Sequence, residues 1–253
     1  MNRTVFITGA TSGIGRACAE VFAENGDNLI LNGRREERLN DLKNELESRF
    51  KIKVVTLAFD VTNKAGVFTS IESISSTGQE VDILINNAGL ALGRDSFEEA
   101  DIQDWETMIN TNINGLLYVS KAVLPMMTSR KKGHIVNLGS VAGKEAYEKG
   151  NVYCGTKAAV DLISRSMRID LLPYNIKITA IHPGAVETEF SIVRFKGDME
   201  KAANFYKGFT PLSARDVADV IFYACSLPEH VCLNDIVLTP TQQANAIYIN
   251  KNS

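Results

Sequence analysis

The stretch Thr8-Gly9-Ala10-Thr11-Ser12-Gly13-Ile14-Gly15 decides the fold, because it joins an apolar run, residues 5–7, to a segment with helical periodicity. Its glycines let the chain bend sharply and let backbone N–H groups approach a pyrophosphate, which then lies at the positive end of the helix dipole. The stretch predicts a dinucleotide-binding turn, with Gly9, Thr11, Ser12, Gly13, Ile14 and Gly15 as cofactor ligands. A glycine-rich loop without a ligand is the alternative, since such a turn alone is only moderately specific.

Short apolar runs alternate with longer helical segments along the rest of the chain. The runs are residues 5–7, 29–31, 54–57, 83–85, 135–138, 176–181 and 236–238. The helical segments are residues 15–25, 35–50, 105–127, 152–172 and 214–226. Uniformly apolar short runs are typical of parallel strands that helices cover on both faces. The alternation predicts a single-domain α/β Rossmann fold over residues 1–253, with a doubly wound parallel seven-stranded sheet.

One segment, residues 184–211, interrupts this alternation with charged and aromatic side chains. It follows a strand, where doubly wound folds place ligand-binding loops. We interpret residues 185–211 as a lid over the substrate.

Composition excludes several classes of protein. The chain has 253 residues, of which 45% are hydrophobic, and a formal net charge of -3, so it lacks the global positive field that binds nucleic acid. The four cysteines contain no CxxC pair, which favours reduced thiols and a cytoplasmic location. No signal peptide and no apolar run of about 20 residues is evident, so secretion and membrane insertion are not expected. The sequence predicts no metal site.

The end of the second strand indicates which dinucleotide is bound. An acid at this position commonly binds the ribose 2'-hydroxyl, but here the strand continues into Asn32-Gly33-Arg34-Arg35. Guanidinium groups form charge-assisted hydrogen bonds to a 2'-phosphate, so Arg34 and Arg35 favour NADP. For Arg35 the alternative is a surface helix start that pairs with Glu36, Glu37 and Arg38.

The segment Tyr153-Cys154-Gly155-Thr156-Lys157 places a phenol and an amine one helical turn apart. A free tyrosine has a pKa near 10, and a neighbouring ammonium favours its phenolate. Tyr153 is therefore a candidate general acid and base beside a hydride carrier, with Lys157 lowering its pKa. The pair alone is weak evidence, because Tyr and Lys four residues apart are common on helices.

Further motifs occur in a fixed order around this pair. They are the GxxxGxG spacing of Gly9, Gly13 and Gly15, the run Asn86-Asn87-Ala88-Gly89 after residues 83–85, Asn112 in a helical stretch, and Ser140 thirteen residues before Tyr153. Together they resemble the classical, NADP-preferring short-chain dehydrogenase/reductase family over essentially the full chain. Asn110 competes with Asn112 if the alignment is shifted by two residues.

The resemblance implies a role for each matching residue. Ser140 would polarise the substrate oxygen, Lys157 would bind the nicotinamide ribose, and Asn112 would hold a water that joins Lys157 to solvent. Each has a plainer interpretation: a helix cap for Ser140, a surface charge for Lys157, a packing amide for Asn112. The resemblance adds as cofactor contacts Asp60, Val61, Asn87, Ala88, Gly89, Tyr153, Lys157, Pro183, Gly184, Val186 and Thr188.

The substrate is predicted less directly. Residues 189–198, 150–153 and 227–231 resemble NADP-dependent 3-hydroxy acid dehydrogenases acting on serine or allo-threonine. Such a substrate needs a cation for its carboxylate beside Ser140 and Tyr153, and Arg194 and Lys196 are the candidates, with solvated lid charges as the alternative.

Three functions stay open at this point: a 3-hydroxy acid dehydrogenase, a carbonyl or 3-oxoacyl reductase with the same catalytic residues, and a non-catalytic NADP sensor. The intact Ser140, Tyr153 and Lys157 argue against the sensor, which needs only the phosphate turn. The resemblance further implies a homotetramer, with the helices over residues 105–127 and 152–172 as candidate interfaces.

Overall fold

The computed structural model describes residues 3–252. Seven parallel strands form one sheet in the order β3-β2-β1-β4-β5-β6-β7, which confirms the predicted fold class. The strands are β1 Thr4–Ile7, β2 Asn28–Gly33, β3 Val54–Ala58, β4 Ile83–Asn86, β5 Gly133–Leu138, β6 Ile176–Pro183 and β7 Asp235–Leu238. Strand order reverses between β1 and β4, and in such sheets a crevice for ligands opens beyond the carboxyl ends of these strands.

Helices cover both faces of the sheet. They are α1 Gly13–Glu24, α2 Glu36–Arg49, α3 Lys64–Ser75, α4 Ile102–Ile109, α5 Leu116–Thr128, α6 Asn151–Asp170, α7 Glu189–Arg194, α8 Met199–Phe205 and α9 Ala214–Ser226. Side-chain alternation in β1 explains the two layers, because Val5 and Ile7 pack into a core with α1, α2 and α9. Phe6, between them, packs into a second core with α3 and α5. All three side chains are fully buried, as expected for a strand covered on both faces.

The structure departs from the sequence prediction over residues 105–127. Instead of one helix, it contains α4, a π-helical turn over Asn110–Gly115, and α5. The turn contains three asparagines and a glycine, which are weak helix formers, and π turns often occur at functional sites. The prediction of a continuous helix was therefore wrong at this turn, which contains Asn112.

Three helices were not predicted. In α3 the buried residues Val67, Ile71 and Ile74 follow a helical spacing, so the sequence signal was present. The short helices α7 and α8 lie within residues 185–211, the segment interpreted as a lid. Their bounds depend on side-chain caps, because Thr188 accepts a hydrogen bond from Phe190 N and Asp198 from Lys201 N.

Among residues 3–252 no helix combines the length and the apolar character needed to cross a membrane. The four cysteines are free thiols, and all except Cys232 are buried.

Candidate active site

A cavity of about 630 Å³ opens at the carboxyl ends of the central strands. Nearly every predicted site residue lines it, from the glycine turn through Arg34, Arg35, Asp60 and Val61 to Ser140, Tyr153, Lys157 and Arg194. Gly15 and Asn112 are absent from the lining; Asn112 is buried, at 2% exposure. The fold thus brings together motifs that are far apart in sequence.

The glycine turn has the backbone geometry that a phosphate site needs. Gly9 and Gly13 have φ of 65° and 52°, values that glycine adopts readily. A Cβ on Gly15 would overlap the carbonyl oxygen of Gly9 and the side-chain amide of Asn87. Asn87 Nδ2 also donates to Thr8 O at 2.9 Å, so the motif after β4 fixes the turn after β1. Backbone N–H groups at the start of α1 therefore remain available to an anion.

At the far end of the cavity lie the two predicted arginines. Arg35 donates to Thr11 Oγ1 at 3.0 Å and to Ser12 Oγ at 3.3 Å, and its other nitrogen lies 3.4 Å from Glu189. It therefore faces the glycine turn, and its carboxylate partner is Glu189 of the lid segment rather than Glu36 or Glu37. Arg34 is more exposed, and its Nη1 lies 3.7 Å from Asp60 Oδ2.

Ser140 lies at the end of β5, before the short 3-10 turn Val141–Gly143. Its hydroxyl accepts a hydrogen bond from Ala142 N at 3.1 Å and lies 3.5 Å from Pro183 O. Ser140 is therefore a cap as well as a cavity-lining hydroxyl. The cap interpretation of Ser140 is therefore confirmed, and its contact with a substrate oxygen stays a prediction.

Tyr153 and Lys157 lie in the first two turns of α6, and both are buried, with 7% exposure. Burial raises the pKa of Tyr153 above its ordinary value, while Arg194 and the Ser140 hydroxyl act in the opposite direction. Burial also lowers the pKa of Lys157 to about 8. Arg194 is thus a cation that lowers the pKa of Tyr153, while the expected effect of Lys157 on this pKa stays a prediction.

Lys157 and Asn112 lie side by side behind Gly89. Lys157 Nζ donates to Leu138 O at 2.8 Å. Asn112 Nδ2 donates to Leu90 O at 2.8 Å, and its Oδ1 accepts from Leu90 N at 2.9 Å. A Cβ on Gly89 would lie 3.1 Å from Asn112 Oδ1 and 3.6 Å from Lys157 Nζ. Asn110 is exposed, so the geometry favours Asn112 as the aligned asparagine.

The two lid cations differ in their surroundings. The Arg194 guanidinium lies 5.4 Å from the ring centroids of both Tyr147 and Tyr153. Its Nε is buried and has no hydrogen-bond partner among residues 3–252. Lys196 instead forms an ion pair with Asp104 at 2.8 Å and does not line the cavity. Of Arg194 and Lys196, Arg194 is the one that lines the cavity, where the substrate prediction requires a cation.

Behind Ser140, one group of side chains has metal-ligand chemistry. Within residues 3–252 it consists of Asp161, His182 and Asp235, whose ligand atoms lie within 4.8 Å of one another. Lys144 Nζ lies 3.0 Å from Asp161 Oδ2 and 2.6 Å from Asp235 Oδ2. Because this ammonium and Arg165 already balance the two carboxylates, we interpret the group as a structural ion-pair network.

Several residues of the cavity escaped sequence reasoning. They include Arg94, Tyr147, Glu148 and Phe205, and also Gln243, Ile247 and Ile249 from the carboxyl-terminal segment. Gln243 Oε1 accepts a hydrogen bond from Ala185 N at 2.8 Å, and Asn252 N donates to Gly208 O at 2.7 Å. The carboxyl-terminal segment is therefore hydrogen-bonded to both ends of residues 185–211, the predicted lid. No motif marks these residues, since only the fold brings them to the site.

Comparisons with known proteins agree with this geometry. The family model described as short chain dehydrogenase matches residues 3–198. An NADP-dependent 3-hydroxy acid dehydrogenase of Salmonella typhi is 45% identical over 243 residues, which cover 96% of each chain. A sulfoacetaldehyde reductase of Chromohalobacter salexigens is 45% identical over 245 residues, again 96% of each chain. The solved closed form of a serine dehydrogenase complexed with NADP+ superposes with a TM-score of 0.91, at 42% identity and 99% coverage of each chain.

Proposed function

Because the chain belongs to the short-chain dehydrogenase family, we propose that it transfers a hydride between NADP and the hydroxyl-bearing carbon of a small 3-hydroxy acid. Serine, allo-threonine and 3-hydroxypropionate represent this substrate class. Their oxidation gives 3-oxo acids, of which malonic semialdehyde, from 3-hydroxypropionate, is the simplest. The observation that carries the substrate assignment is the half-buried Arg194 guanidinium against the Tyr153 ring, with a buried Nε that lacks a partner among residues 3–252.

The residues around the cavity fit NADP. The glycine turn presents N–H groups to a pyrophosphate, and Arg34 and Arg35 lie where a 2'-phosphate requires cations. The similar 3-hydroxy acid dehydrogenase is NADP-dependent, and the superposed serine dehydrogenase is in complex with NADP+. When bound, the nicotinamide supplies the hydride acceptor in oxidation and the hydride donor in reduction.

The remaining chemistry belongs to the side chains. The Ser140 hydroxyl hydrogen-bonds the substrate oxygen and holds it toward Tyr153. In oxidation the Tyr153 oxygen takes the hydroxyl proton as the hydride leaves the carbon; in reduction it returns this proton to the carbonyl oxygen. Lys157 binds the nicotinamide ribose, and Asn112 fixes the backbone of Leu90 beside it and orders a water toward Lys157.

Arg194 supports an acid as the substrate. An isolated guanidinium in a half-buried site is unfavourable unless it is paired, and a carboxylate satisfies two of its N–H groups at once. The substrate carboxylate is then held one carbon away from the reacting carbon, which is its position in a 3-hydroxy acid. A carbonyl or 3-oxoacyl reductase is the second candidate, and a non-catalytic NADP sensor is a more remote one.

A substrate panel tests the proposal. NADP+-dependent oxidation of serine, allo-threonine and 3-hydroxypropionate is compared with that of simple secondary alcohols, and each assay is repeated with NAD+. Arg194→Ala should raise KM for the acids far more than for neutral alcohols, and Lys196→Ala serves as the matched lid control. Equal effects of Arg194→Ala on acids and alcohols would remove the carboxylate role.

A second variant separates the enzyme from the sensor. Tyr153→Phe should abolish turnover and leave NADPH binding nearly unchanged. If wild type turns over no acid or carbonyl and still binds NADPH, the sensor is the correct function.

The proposal extends to the domain organisation, the oligomeric state and the cellular location of the protein. We take residues 1–253 as one domain, with residues 185–211 as the substrate lid. Exposed apolar side chains on and after α5 and α6, namely Leu117, Leu162, Ile169 and Leu172, support self-association through these helices and a homotetramer. The free cysteines support a cytoplasmic location.

A further inference from the structure

A second guanidinium, that of Arg94, faces the substrate half of the cavity. Arg94 follows Gly93, which has a φ of 71° and donates its amide hydrogen to the carbonyl oxygen of Arg194 at 3.0 Å. The backbones that carry the two arginines are therefore hydrogen-bonded to each other. The lid and the loop after β4 position these side chains jointly.

Both guanidinium groups lie against the same ring. Arg94 Cζ is 6.0 Å from the ring centroid of Tyr147 and 5.9 Å from that of Phe205, while Arg194 Cζ is 5.4 Å from Tyr147. The two arginines also both lower the pKa of the Tyr147 phenol, against the larger effect of burial. Two cations thus act on one small region beside Tyr153.

Within residues 3–252 no carboxylate forms an ion pair with Arg94. The neighbouring Asp104 is paired with Lys196, and Glu99 accepts a hydrogen bond from Ser96. Glu148 also lines the cavity, and both Glu148 and Arg94 are exposed. The substrate region therefore has a surplus of positive charge, which an anionic ligand would compensate.

We propose that Arg94 is a specificity-determining residue that binds the acid group of the substrate together with Arg194, and that the site accepts sulfonates as well as carboxylates. The inference rests on the proposed function, because it assumes that Arg194 binds this acid group. A planar carboxylate has two oxygens, which one guanidinium fork can satisfy. A tetrahedral sulfonate has a third oxygen, and Arg94 is the nearby donor for it.

The reaction is the same for both acids. In 2-hydroxyethanesulfonate the carbinol carbon loses a hydride to NADP+ and the hydroxyl loses its proton to Tyr153, which leaves the aldehyde. The sulfonate itself is unchanged. One methylene separates the sulfonate from the carbinol carbon, and one methylene likewise separates the carboxylate from the carbinol carbon in 3-hydroxypropionate.

The test compares kcat and KM for 3-hydroxypropionate, 2-hydroxyethanesulfonate and propan-1-ol in wild type, Arg94→Ala and the control Lys201→Ala. Lys201 is an exposed lid cation that does not line the cavity. Loss of a charge-assisted hydrogen bond should raise KM of Arg94→Ala for the sulfonate about ten-fold or more, with kcat little changed. The carboxylate should show a smaller rise, of about two- to three-fold, and propan-1-ol none.

Three outcomes would overturn the inference: no oxidation of the sulfonate by wild type, an equal change for propan-1-ol, or the same effect from Lys201→Ala. These outcomes differ from a failure of the proposed function. If wild type oxidises 3-hydroxypropionate with an Arg194-dependent KM and Arg94→Ala has no effect, only the role of Arg94 is refuted. If wild type oxidises propan-1-ol but neither acid, the 3-hydroxy acid assignment fails as well.

Discussion

Replacing Lys157 by methionine should make the protein more stable while it abolishes turnover. Lys157 is 7% exposed, and burial lowers its pKa from 10.5 to about 8. At about 1.4 kcal/mol for each pKa unit, holding this ammonium charged in the folded protein at pH 7 costs about 3 kcal/mol. The variant also loses the hydrogen bond to Leu138 O, which is worth about 1–3 kcal/mol to a charged donor. We therefore expect a net gain of about 1–2 kcal/mol at pH 7.

The pH dependence of this gain identifies its cause. The folded pKa lies below the unfolded one, so between about pH 8 and 10.5 the unfolded state binds the extra proton and wild type gains stability as pH rises. The advantage of Lys157→Met should consequently shrink by about 2 kcal/mol between pH 7 and 9.5. Urea unfolding of both proteins across this range measures the difference, with exposed Lys201→Met as the control. A variant less stable than wild type at pH 7, or a difference independent of pH, would refute the reasoning.

Three further predictions concern the turn, the core and the lid. Gly15→Ala should destabilise the fold by about 1–3 kcal/mol and weaken NADPH binding, because its Cβ overlaps the Gly9 carbonyl; thermal melting and fluorescence titration check this, and unchanged values contradict it. Burial lowers the pKa of His134 to about 3, so wild type should lose about 2 kcal/mol between pH 7 and 5, as unfolded His134 takes up a proton. His134→Gln should lose less in acid unfolding curves, and equal losses would count against this cause. Glu189→Gln should tighten NADPH binding about two- to five-fold, since Arg35 and Arg38 lose a competing carboxylate, and should leave NADH binding unchanged; weaker NADPH binding would show that Glu189 positions the arginines instead.

The sequence predicted the fold well because the strands are uniformly apolar and the glycine turn has strict geometric requirements. The strand at residues 5–7 and the helix at residues 214–226 were found nearly to the residue. The π-helical turn was missed, because one inserted residue hardly changes the hydrophobic periodicity from which a helix is predicted. The other predicted boundaries differ from the observed ones by at most three residues, because helix and strand ends are the least sharply defined parts of these elements.

For the site, motif residues were predictable and wall residues were not. The turn after Ser140 and the helix that contains Tyr153 fix the number of residues between these two side chains. Arg94 and Tyr147 belong to irregular loops, where the chain path depends on tertiary contacts such as the Gly93 to Arg194 hydrogen bond. The direction of the pKa of Tyr153 also escaped sequence reasoning, because burial is a property of the folded protein.

The hydrogen bonding of the predicted lid to the carboxyl-terminal segment has an evolutionary consequence. The residues proposed to hold the reacting atoms lie on strand ends and on α6, whereas the loop after β4, the predicted lid and the segment around Gln243 line other parts of the cavity. Mutations in these three stretches can change which molecule is accepted and leave the proton-transfer residues untouched. Substrate preference in such a fold is therefore free to diverge among descendants that share one reaction.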